Sequence, residues 1–424
     1  MIRQKKNLAA LRLYDFIWRL CIPLLRFNAR LKDGYDNRCS GNNLKPADIW
    51  IQAASAGEAY LAWSLLENLR PVQPVNILVT TNTRQGLDII KKAIDAIPPD
   101  NHQISVDCAF IPFDRPVIME RAVSKINPKI MILLETEIWP GLLFALKKLR
   151  HKIIIINGRL TPKSLGRYML WPSFWRALRP DKILAISKAD ANRFAALFGQ
   201  KTTQTMHNIK FDRLNTMVEN KVNPLKPLFP DYAPVLVLGS VRKEEEEQII
   251  NIITDIQLKV PETIIGLFPR HMHRIDFWKH TLNRLNVNWK LRSELNEKPV
   301  QNGTIILWDT FGELSSAYAL AKAVFVGGSL APLGGQNFLE PMIYGITPVI
   351  GPYWENFAWV GADIFKQGLA IKANNWQSVV SELAGQLQGS MPSKKHQEAA
   401  IRYITDRKGG TAQACRLIME ELES

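Results

Sequence analysis

Short apolar segments that alternate with amphipathic or polar stretches limit this chain to a layered α/β fold. In the first half, the segments with the length and composition of buried strands are 49–53, 75–80, 109–112, 130–134, 153–156 and 183–186. In the second half they are 235–238, 263–268, 304–308, 323–326 and 347–350. Helical patterns or polar turns separate them, so the rhythm predicts parallel sheets with crossover helices.

A cluster of prolines at 224, 227, 230 and 234 breaks this rhythm and predicts a linker over 218–234. At 424 residues the chain is too long for one ordinary core. We therefore predict a membrane-associating segment at 1–33, a Rossmann-like domain at 46–217 and a second Rossmann-like domain at 235–424. Open parallel sheets bind ligands at the carboxyl ends of their strands, so the active site is expected in a cleft where the two domains face each other.

The chain is strongly basic, with 54 Lys and Arg against 39 Asp and Glu and a net charge of +15. Such an excess suits nucleic acid, an anionic membrane surface or a phosphorylated substrate. No helix-turn-helix, zinc-finger or RNA-binding signature accompanies the charge, which argues against nucleic acid. The four cysteines are scattered, as is typical of reduced thiols in a cytoplasmic protein. His271 and His273 lack a third ligand at a useful spacing, so we expect no metal.

Residues 8–27 form a helical pattern with two unlike faces. Its charged residues share one face: Arg12, Asp15, Arg19 and Arg26. Its apolar residues share the other: Leu13, Phe16, Ile17, Leu20 and Leu24. The charges are too frequent for a spanning helix, and the pattern predicts an amphipathic helix that lies on anionic lipid. An ordinary helix of the domain is the alternative.

In the second domain, the apolar run 323–326 leads into a glycine-rich stretch with Gly334 and Gly335, followed by Asn337 and Glu340. The pattern predicts a strand, a loop that a ligand can approach closely, and a helix start whose amides favour a phosphate. A plain tight connection is the alternative. Glu340 either accepts hydrogen bonds from a ribose or caps its helix.

Three further segments of the second domain carry candidate residues. Arg270 follows the apolar run 264–268, and its planar guanidinium suits a phosphate or a sugar carboxylate. Gly312 and Glu313 stand where backbone amides can meet a nucleotide. The acidic run 244–247 predicts a solvated helix N-terminus.

In the first domain, Ser55 and Glu58 have the spacing of a capping box at a helix start. Glu135 and Glu137 come directly after the apolar run 130–134 and are expected to project from the strand end. They can bind hydroxyl groups of a ligand, tune Glu58 or form a structural ion pair with Arg159. Arg159 itself, with Lys163, is a candidate for binding phosphates of a ligand.

From Ser55 to about Phe357 the chain resembles the 3-deoxy-D-manno-octulosonic acid (Kdo) transferases, which attach Kdo to lipid A precursors. The motifs that carry the resemblance follow in order: SAGE at 55–58, TTNTRQG at 80–86, ETEIWP at 135–140, NGRLTPKS at 157–164, NIKFD at 208–212, PRH at 269–271, DTFGEL at 309–314 and GGSLAPLGGQNFLEP at 327–341. A single motif of this length is weakly specific, whereas the ordered set is a strong signal.

The resemblance implies a GT-B-type, inverting glycosyltransferase of lipopolysaccharide core biosynthesis at the cytoplasmic face of the inner membrane, either peripheral or held by a single N-terminal anchor. It implies that Glu58 is the catalytic base, that CMP-Kdo is the donor and that no metal is required. The acceptor-binding residues that it implies are Ser55, Gly57, Glu135, Glu137, Arg159 and Lys163. The donor-binding residues are Ser240, Pro269, Arg270, Phe311, Gly312, Glu313, Gly334, Gly335, Asn337 and Glu340.

Three departures from the family pattern flank the expected nucleotide pocket. Gln336 stands where the family commonly has histidine, Phe311 replaces a frequent methionine, and 241–244 lacks an expected threonine and glycine. One alternative is therefore a GT-B transferase or an epimerase that uses another nucleotide sugar. The other is a catalytically inactive, membrane-bound relative.

Overall fold

The computed structural model describes residues 2–28, 31–41, 44–97, 103–214, 222–230, 232–296, 298–391 and 393–423, with side chains from residue 10 onward. Contacts divide the chain into two compact units. Unit one comprises the residues up to Arg213 and those from Arg407, and unit two is Leu214–Asp406. Each unit has one seven-stranded sheet in which every strand pair is parallel. The predicted α/β class with two Rossmann-like domains and an N-terminal helix is confirmed.

Unit one alternates strands and helices through most of its length. Its helices are α1 Ile2–Leu25, α2 Tyr35–Ser40, α3 Ala56–Asn68, α4 Arg84–Asp95, α5 Pro116–Ile126, α6 Pro140–Lys148, α7 Pro162–Tyr168, α8 Pro172–Ala177, α9 Lys188–Phe198 and α10 Ile209–Asp212. Its strands are β1 Ile49–Ala53, β2 Val75–Thr81, β3 Ile104–Phe110, β4 Ile130–Leu134, β5 Lys152–Gly158, β6 Lys182–Ala185 and β7 Thr203–Thr205. Several helices begin with proline at the first position, where its missing N–H costs nothing.

The unit-one sheet has the strand order β3-β2-β1-β4-β5-β6-β7. Successive side chains of β4 enter two different cores: Met131 and Leu133 join one cluster, and Ile130, Ile132 and Leu134 join the other. Helices therefore cover both faces, which explains why β4 is apolar throughout. The order reverses between β1 and β4, and the ends of these two strands carry the candidate site.

Helix α1 packs on unit one through the face that contains Leu11, Tyr14 and Trp18. The Tyr14 hydroxyl donates to Asp114 Oδ2 at 2.7 Å, and Arg115 pairs with Asp15 at 3.0 Å. Asp114 also accepts the backbone N–H groups of Gly141 and Leu142 at the start of α6. Burial raises the pKa of Asp114 to about 7, against the effect of these hydrogen bonds.

The opposite face of α1 is apolar and uncovered by the described part of the chain. Its large exposed side chains, together with Phe27 just after the helix, are Leu13, Phe16, Ile17, Leu20, Leu24 and Phe27. This is the apolar face that the sequence predicts. No helix within the described ranges has the length and apolar character needed to cross a bilayer.

Unit two repeats the alternation with shorter edge strands. Its helices are α11 Glu246–Lys259, α12 Ile275–Arg284, α13 Leu314–Tyr318, α14 Leu339–Met342, α15 Asp363–Lys366, α16 Trp376–Gln388 and α17 Lys394–Thr405. Its strands are β8 Val235–Val241, β9 Ile264–Pro269, β10 Trp289–Leu291, β11 Ile305–Leu307, β12 Ala323–Val326, β13 Val349–Ile350 and β14 Ile371–Lys372. The strand order is β10-β11-β9-β8-β12-β13-β14, so the order reverses between β8 and β12.

The proline-rich segment predicted as a linker lies partly outside the described residues, at 218–221 and 231. Its described middle packs within unit two. Leu225, Leu228 and Phe229 are buried there, and the Leu228 carbonyl accepts the Val300 N–H at 2.9 Å. This segment therefore contributes to the second core.

The predicted second domain, 235–424, extends too far at its C-terminal end. Helix α18, Gly410–Glu423, belongs to unit one. Asp212 accepts the N–H groups of Gly409 and Thr411 at the start of this helix, each at 2.6 Å. Its buried residues Ala414, Cys415 and Ile418 join the unit-one cluster that includes Leu65 and Ile209. An amphipathic helix does not reveal from its sequence which core it covers.

The acidic run at 244–247 is also not the solvated helix start that the sequence predicts. Glu245 and Glu246 are buried, because each has a specific partner within unit two. Arg274 binds Glu246 through two hydrogen bonds, at 2.8 and 2.5 Å. The partners of Glu245 lie in the glycine-rich loop described below.

Candidate active site

Four of the six predicted acceptor residues, Ser55, Gly57, Glu135 and Glu137, lie just after β1 and β4, where the unit-one strand order reverses, whereas Arg159 and Lys163 follow β5. The two strands pair in register, with Gln52 opposite Leu133. The loop after β1 therefore lies beside the loop after β4, and Ser55 to Glu58 lie beside Glu135 to Glu137. Parallel sheets bind ligands at such a position.

Ser55 and Glu58 form the predicted capping box at the start of α3. The Ser55 Oγ accepts the Glu58 N–H at 3.3 Å, and Glu58 Oε2 accepts the backbone N–H groups of Ala54 and Ser55 at 2.6 and 3.3 Å. The Ser55 hydroxyl also donates to Glu58 Oε1 at 3.2 Å. Gly57 leaves the first turn open, since a Cβ there would meet only the Ser55 Oγ, at 3.7 Å. The Glu58 carboxylate is thus fixed in position.

Glu58 is buried in a group of acidic side chains. Burial, followed by the charges of Glu137 and Glu135, raises the pKa of Glu58 to about 8. Burial likewise raises the pKa of Glu137 to about 7, although Trp139 donates to that carboxylate at 2.6 Å. A carboxyl group that holds its proton near neutral pH suits proton transfer better than an ordinary exposed glutamate does.

Lys210 supplies the counter-charge to this group. Its Nζ lies 2.6 Å from Glu135 Oε1, so the described ion pair of Glu135 is with Lys210. Glu135 itself has φ of 54°, in the left-handed region, and its N–H donates to the Ile156 carbonyl. Thr136 donates to the carbonyl of Arg159, which ties the loop after β4 to the loop after β5.

A chain of buried polar side chains connects this group to the sheet core. Trp50 donates to Thr80 Oγ1 at 2.7 Å, Thr80 donates to Gln52 at 2.6 Å, and Gln52 donates to Asn82 at 3.2 Å. Gln52 also hydrogen-bonds Glu137. Sequence reasoning gave no role to Gln52 or to Lys210, although Lys210 lies in the NIKFD motif, because nothing local in the sequence marks either as a partner of a residue 75 or more positions away.

Arg159 and Lys163 begin a segment, 159–180, that has basic residues and no acidic ones. Its basic residues are Arg159, Lys163, Arg167, Arg176 and Arg179. Between its two helices, α7 and α8, it exposes Met169, Leu170 and Trp171, and Leu170 is 87% exposed. A surface that is both apolar and basic is suited to an anionic amphiphile.

In unit two, Ser240, Pro269 and Arg270 meet at the carboxyl ends of β8 and β9. Val241 and Pro269 are opposite each other in the sheet, and the Arg270 N–H donates to the Val241 carbonyl at 2.8 Å. Ser240 has φ of 57° at an irregularity in the strand pairing. The side chain of Arg270 is exposed at this edge.

Backbone N–H groups of the glycine-rich loop after β12 donate to the carboxylate of Glu245, a residue of the same unit. Glu245 Oε1 accepts the Gly328 N–H at 2.6 Å, and Oε2 accepts the N–H groups of Ser329 and Leu330, each at 3.2 Å. Burial raises the pKa of Glu245, against the effect of these hydrogen bonds. The N–H groups of Gly328, Ser329 and Leu330 are therefore engaged by Glu245.

The second glycine pair, Gly334 and Gly335, also makes close contacts within the unit. A Cβ on Gly334 would lie 2.5 Å from Asn356 Nδ2, and the Gly335 N–H donates to the Gly328 carbonyl at 2.7 Å. The Asn337 side chain accepts the N–H of Leu339, the first residue of the single turn α14, at 3.2 Å. Its amide donates to Glu340 Oε1 at 2.7 Å. No side chain of the described residues caps α14, so Glu340 does not act as its cap, and burial raises the pKa of Glu340.

The loop 310–313 presents its backbone and Phe311. Phe311 is 82% exposed, and Gly312 has φ of 86° with no atom within 4 Å of an added Cβ. The Glu313 carboxylate is committed to Arg292, Trp308 and Thr310. Partial burial raises the pKa of Glu313, but these hydrogen bonds and the charge of Arg292 lower it by more. The pKa of Glu313 therefore lies below its ordinary value. Only the backbone of Glu313 is left to meet a ligand.

A cavity of about 700 Å³ opens elsewhere, at the amino-terminal ends of the unit-two strands. Val235, Glu262 and Lys322 line it, together with side chains of the proline-rich segment and of the end of α16. No predicted site residue lines it, and the candidate site is defined by side chains at the opposite strand ends.

Comparison with known proteins agrees with the resemblance read from the motifs. Residues 22–213 match the family model described as 3-deoxy-D-manno-octulosonic-acid transferase (kdotransferase). The chain is 27% identical to the 3-deoxy-D-manno-octulosonic acid transferase of Haemophilus influenzae over 96% of this chain and 95% of that protein. It is 28% identical to the enzyme of the same name from Bordetella pertussis over 89% of this chain and 87% of that protein.

A solved glycosyltransferase from Rickettsia africae has a similar fold, with a TM-score of 0.57 and 11% identity over 90% of this chain and 99% of that one. That likeness concerns the fold alone. The family model and the relatives that are similar along almost the whole chain carry the assignment, and the two-domain α/β fold agrees with it. The comparisons support the 3-deoxy-D-manno-octulosonic acid transferase family for this chain and indicate a glycosyltransferase.

Proposed function

We propose that this protein transfers Kdo from CMP-Kdo to a lipid A precursor (lipid IVA), or to a Kdo already attached to it, with Glu58 as the catalytic base. One observation carries the proposal. Glu58 is buried at the end of β1 among Glu135 and Glu137, and these surroundings raise its pKa to about 8. A base for a hydroxyl proton is expected to be most effective near such a pKa.

The reaction is a single displacement at the anomeric carbon of Kdo. The acceptor hydroxyl oxygen forms a bond to that carbon while its proton moves to the Glu58 carboxylate. The bond between the anomeric carbon and the phosphate oxygen breaks, and its electron pair leaves with CMP. Attack from the side opposite to the leaving group inverts the configuration.

Basic side chains of unit one suit the acceptor. A lipid A precursor carries phosphates and acyl chains, and segment 159–180 offers basic residues beside the exposed Leu170. Arg159 and Lys163 are proposed to bind the phosphates, which is consistent with their position after β5. Glu135 and Glu137 are proposed to orient the acceptor hydroxyls and tune Glu58, in addition to the Lys210 ion pair.

The donor is proposed to bind at the carboxyl ends of the unit-two strands. Arg270 is exposed there and suits the single phosphate of CMP. Glu340 has one described hydrogen bond, from Asn337, so its carboxylate has further acceptor capacity for ribose hydroxyls. The exposed ring of Phe311 offers a face for the base.

We propose that arginine and backbone amides stabilise the leaving phosphate without a metal ion. A monophosphate carries less charge than the diphosphates for which sugar transferases use a divalent cation. Unchanged turnover after exhaustive treatment with EDTA is expected. A loss that Mg²⁺ restores would overturn this part of the proposal.

We further propose that the protein works at the cytoplasmic face of the inner membrane as a peripheral enzyme. The apolar face of α1 and the exposed residues 169–171 both offer side chains that can enter the lipid interface. The net charge of +15 favours an anionic surface.

The test is a turnover assay with CMP-Kdo and a tetra-acylated lipid A precursor, in which CMP release and product mass are measured for wild type and Glu58→Gln. Product from the wild type alone is expected, and its mass counts the sugars added. Wild-type turnover by a folded Glu58→Gln variant would remove Glu58 from the mechanism. Stabilisation by UDP or GDP in place of CMP in a thermal shift would redirect the search to another nucleotide sugar.

A further inference from the structure

Arg242 lies beside Arg270 at the proposed donor site and has no role in the function proposed so far. The two residues follow directly on Val241 and Pro269, which are opposite each other in β8 and β9. The Arg270 N–H donates to the Val241 carbonyl at 2.8 Å, so the two arginine backbones are neighbours at one edge of the sheet. Two guanidinium groups therefore start from adjacent positions.

The position of Arg242 is fixed by the carboxylate that holds the glycine-rich loop. Glu245 Oε1 accepts the Arg242 N–H at 2.9 Å and the Gly328 N–H at 2.6 Å. The Arg242 side chain lies against the same glycine, with its Cγ 3.6 Å from where a Cβ on Gly328 would stand. The Cγ of Gln336 lies 3.1 Å from the same Cβ position. Arg242 thus faces the junction of β8, β9 and the loop after β12.

The guanidinium of Arg242 is only partly satisfied by the described residues. Its Nε is buried and has no hydrogen-bond partner among them. The carboxylate paired with it, on the half-exposed Glu244, lies 3.8 Å away, which is too long for a hydrogen bond. A buried guanidinium N–H without an acceptor is unfavourable, and an incoming anion would supply the acceptor.

The surroundings of this edge are strongly cationic. Burial, then the charges of Arg242, Arg270 and His273, lower the pKa of His271, and Glu244 opposes them only in part. The rings of His271 and His273 stack, with centroids 5.4 Å apart. This edge of the sheet therefore carries two arginine charges, those of Arg242 and Arg270, where a single phosphate could be bound by one arginine.

We propose that Arg242 binds the carboxylate of the donor sugar while Arg270 binds the phosphate. The inference rests on the proposed function, since it assumes that the donor is a nucleotide-activated sugar acid. In such a donor the anomeric carbon bears both the carboxylate and the phosphate ester, so two anions lie side by side. Two adjacent arginines match that pair, and planar guanidinium groups bind both kinds of oxyanion well. Arg242 then selects a sugar acid over a neutral sugar.

The two arginines are expected to affect different kinetic constants, because the charges that they bind change differently between the bound donor and the transition state. The carboxylate keeps its charge throughout the reaction, so Arg242 stabilises the bound donor and the transition state equally and affects KM. The phosphate gains charge as its bond to the sugar breaks, so Arg270 also affects kcat. A merely structural arginine would not separate the two constants in this way.

The experiment compares full-length wild type, Arg242→Gln and Arg270→Gln, with Lys243→Gln as a control that removes the same charge from an exposed neighbour. The Kd of CMP, which lacks the carboxylate, is measured by calorimetry, and KM and kcat are measured with CMP-Kdo. For Arg242→Gln we expect KM to rise about tenfold or more, with kcat and the Kd of CMP changed by less than about twofold. Arg270→Gln is expected to weaken CMP and lower kcat, and Lys243→Gln to change neither.

An Arg242→Gln variant that binds CMP and CMP-Kdo as wild type does would overturn the inference and leave the proposed function standing. Equal weakening of both ligands would overturn it too, because Arg242 would then be a phosphate ligand. Absence of wild-type turnover with CMP-Kdo would overturn the proposed function and this inference together. Arg242→Lys, which retains the charge without the planar fork, provides a second variant and is expected to give an intermediate KM.

Discussion

Ser55 and Glu58 cap the same helix reciprocally, because each side chain accepts the backbone N–H of the other at 3.3 Å. The proposed base is thus also a structural element of α3. A loss of activity on mutation of Glu58 therefore needs separation into a chemical and a structural part.

Glutamine separates the two roles of Glu58. Its amide oxygen can still accept the N–H groups of Ala54 and Ser55, so we expect the free energy of unfolding of Glu58→Gln at pH 5 to equal that of wild type within about 0.5 kcal/mol. Glu58→Ala removes the acceptor and is expected to cost about 1 kcal/mol. Urea unfolding measures both. If Glu58→Gln were as unstable as Glu58→Ala, its inactivity would say little about catalysis.

The rate is expected to depend on pH through the Glu58 carboxyl group. A base with a pKa of about 8 is largely protonated below that pH, so kcat/KM is expected to rise about tenfold per pH unit up to pH 7 and to level off above pH 8. Glu137→Gln removes one of the charges that raise this pKa, so the midpoint is expected to move to lower pH. A midpoint that does not respond to Glu137→Gln would contradict the assignment of the profile to Glu58.

Stability is expected to fall as pH rises through the same range. The folded protein holds the Glu58 proton up to about pH 8, whereas the unfolded chain releases it near the ordinary value of 4.5. The unfolded state therefore binds fewer protons between these values, and the free energy of unfolding decreases with pH. Glu58→Gln is expected to be stabilised relative to wild type on going from pH 5 to pH 8, by about 3 kcal/mol, since each pH unit in this range contributes about 1.4 kcal/mol. Parallel pH profiles of the two proteins would contradict the raised pKa.

Glu245 is expected to be essential for the glycine-rich loop. Its carboxylate accepts the N–H groups of Arg242, Gly328, Ser329 and Leu330. Glu245→Ala leaves these buried donors without an acceptor, so we expect a loss of about 3 kcal/mol in the free energy of unfolding. Glu247, an exposed residue of the same run, provides the control, and Glu247→Ala is expected to cost less than about 0.5 kcal/mol. Equal effects of the two variants would show that the Glu245 contacts contribute little.

Exposed leucines of unit one are expected to bind lipid. Leu20→Asp on α1 and Leu170→Asp in the segment 159–180 each place a charge where we propose the interface, so partitioning onto vesicles that contain anionic phosphatidylglycerol is expected to fall about tenfold. Leu258, which is 77% exposed in unit two, gives the matched control Leu258→Asp, expected to bind as wild type does. Loss of binding in the control as well would indicate that net charge alone attaches the protein.

Strands that are buried on both faces were predictable from the sequence, and edge strands were not. β1, β4 and β12 have the predicted bounds because each is an apolar run, interrupted only by the buried Gln52 in β1. β7 reads Thr-Gln-Thr, and β10 and β14 have only three and two residues, so none of the three carries an apolar signal. β3 was predicted to begin five residues late, because its half-exposed sequence includes Asp107.

Some residues of the candidate site could likewise be placed from the sequence, and others could not. Ser55, Glu58 and Arg270 could be placed from the sequence, since each stands directly after a strand or at a helix start. Lys210 and Glu245 could not, because the partner of each is remote: Glu135 is 75 residues from Lys210, and Gly328 is 83 residues from Glu245. Contacts of this kind depend on strand order, which local periodicity does not contain.

The return of α18 to unit one has a consequence for synthesis on the ribosome. The face of unit one that includes Leu65 and Ile209 receives Ala414 and Ile418 from α18. These residues are translated only after the whole of Leu214–Asp406 has been made. During translation, this apolar face of unit one therefore stays exposed until α18 has been synthesised. A fragment that ends at Arg213 would expose the same face permanently and would be prone to aggregation.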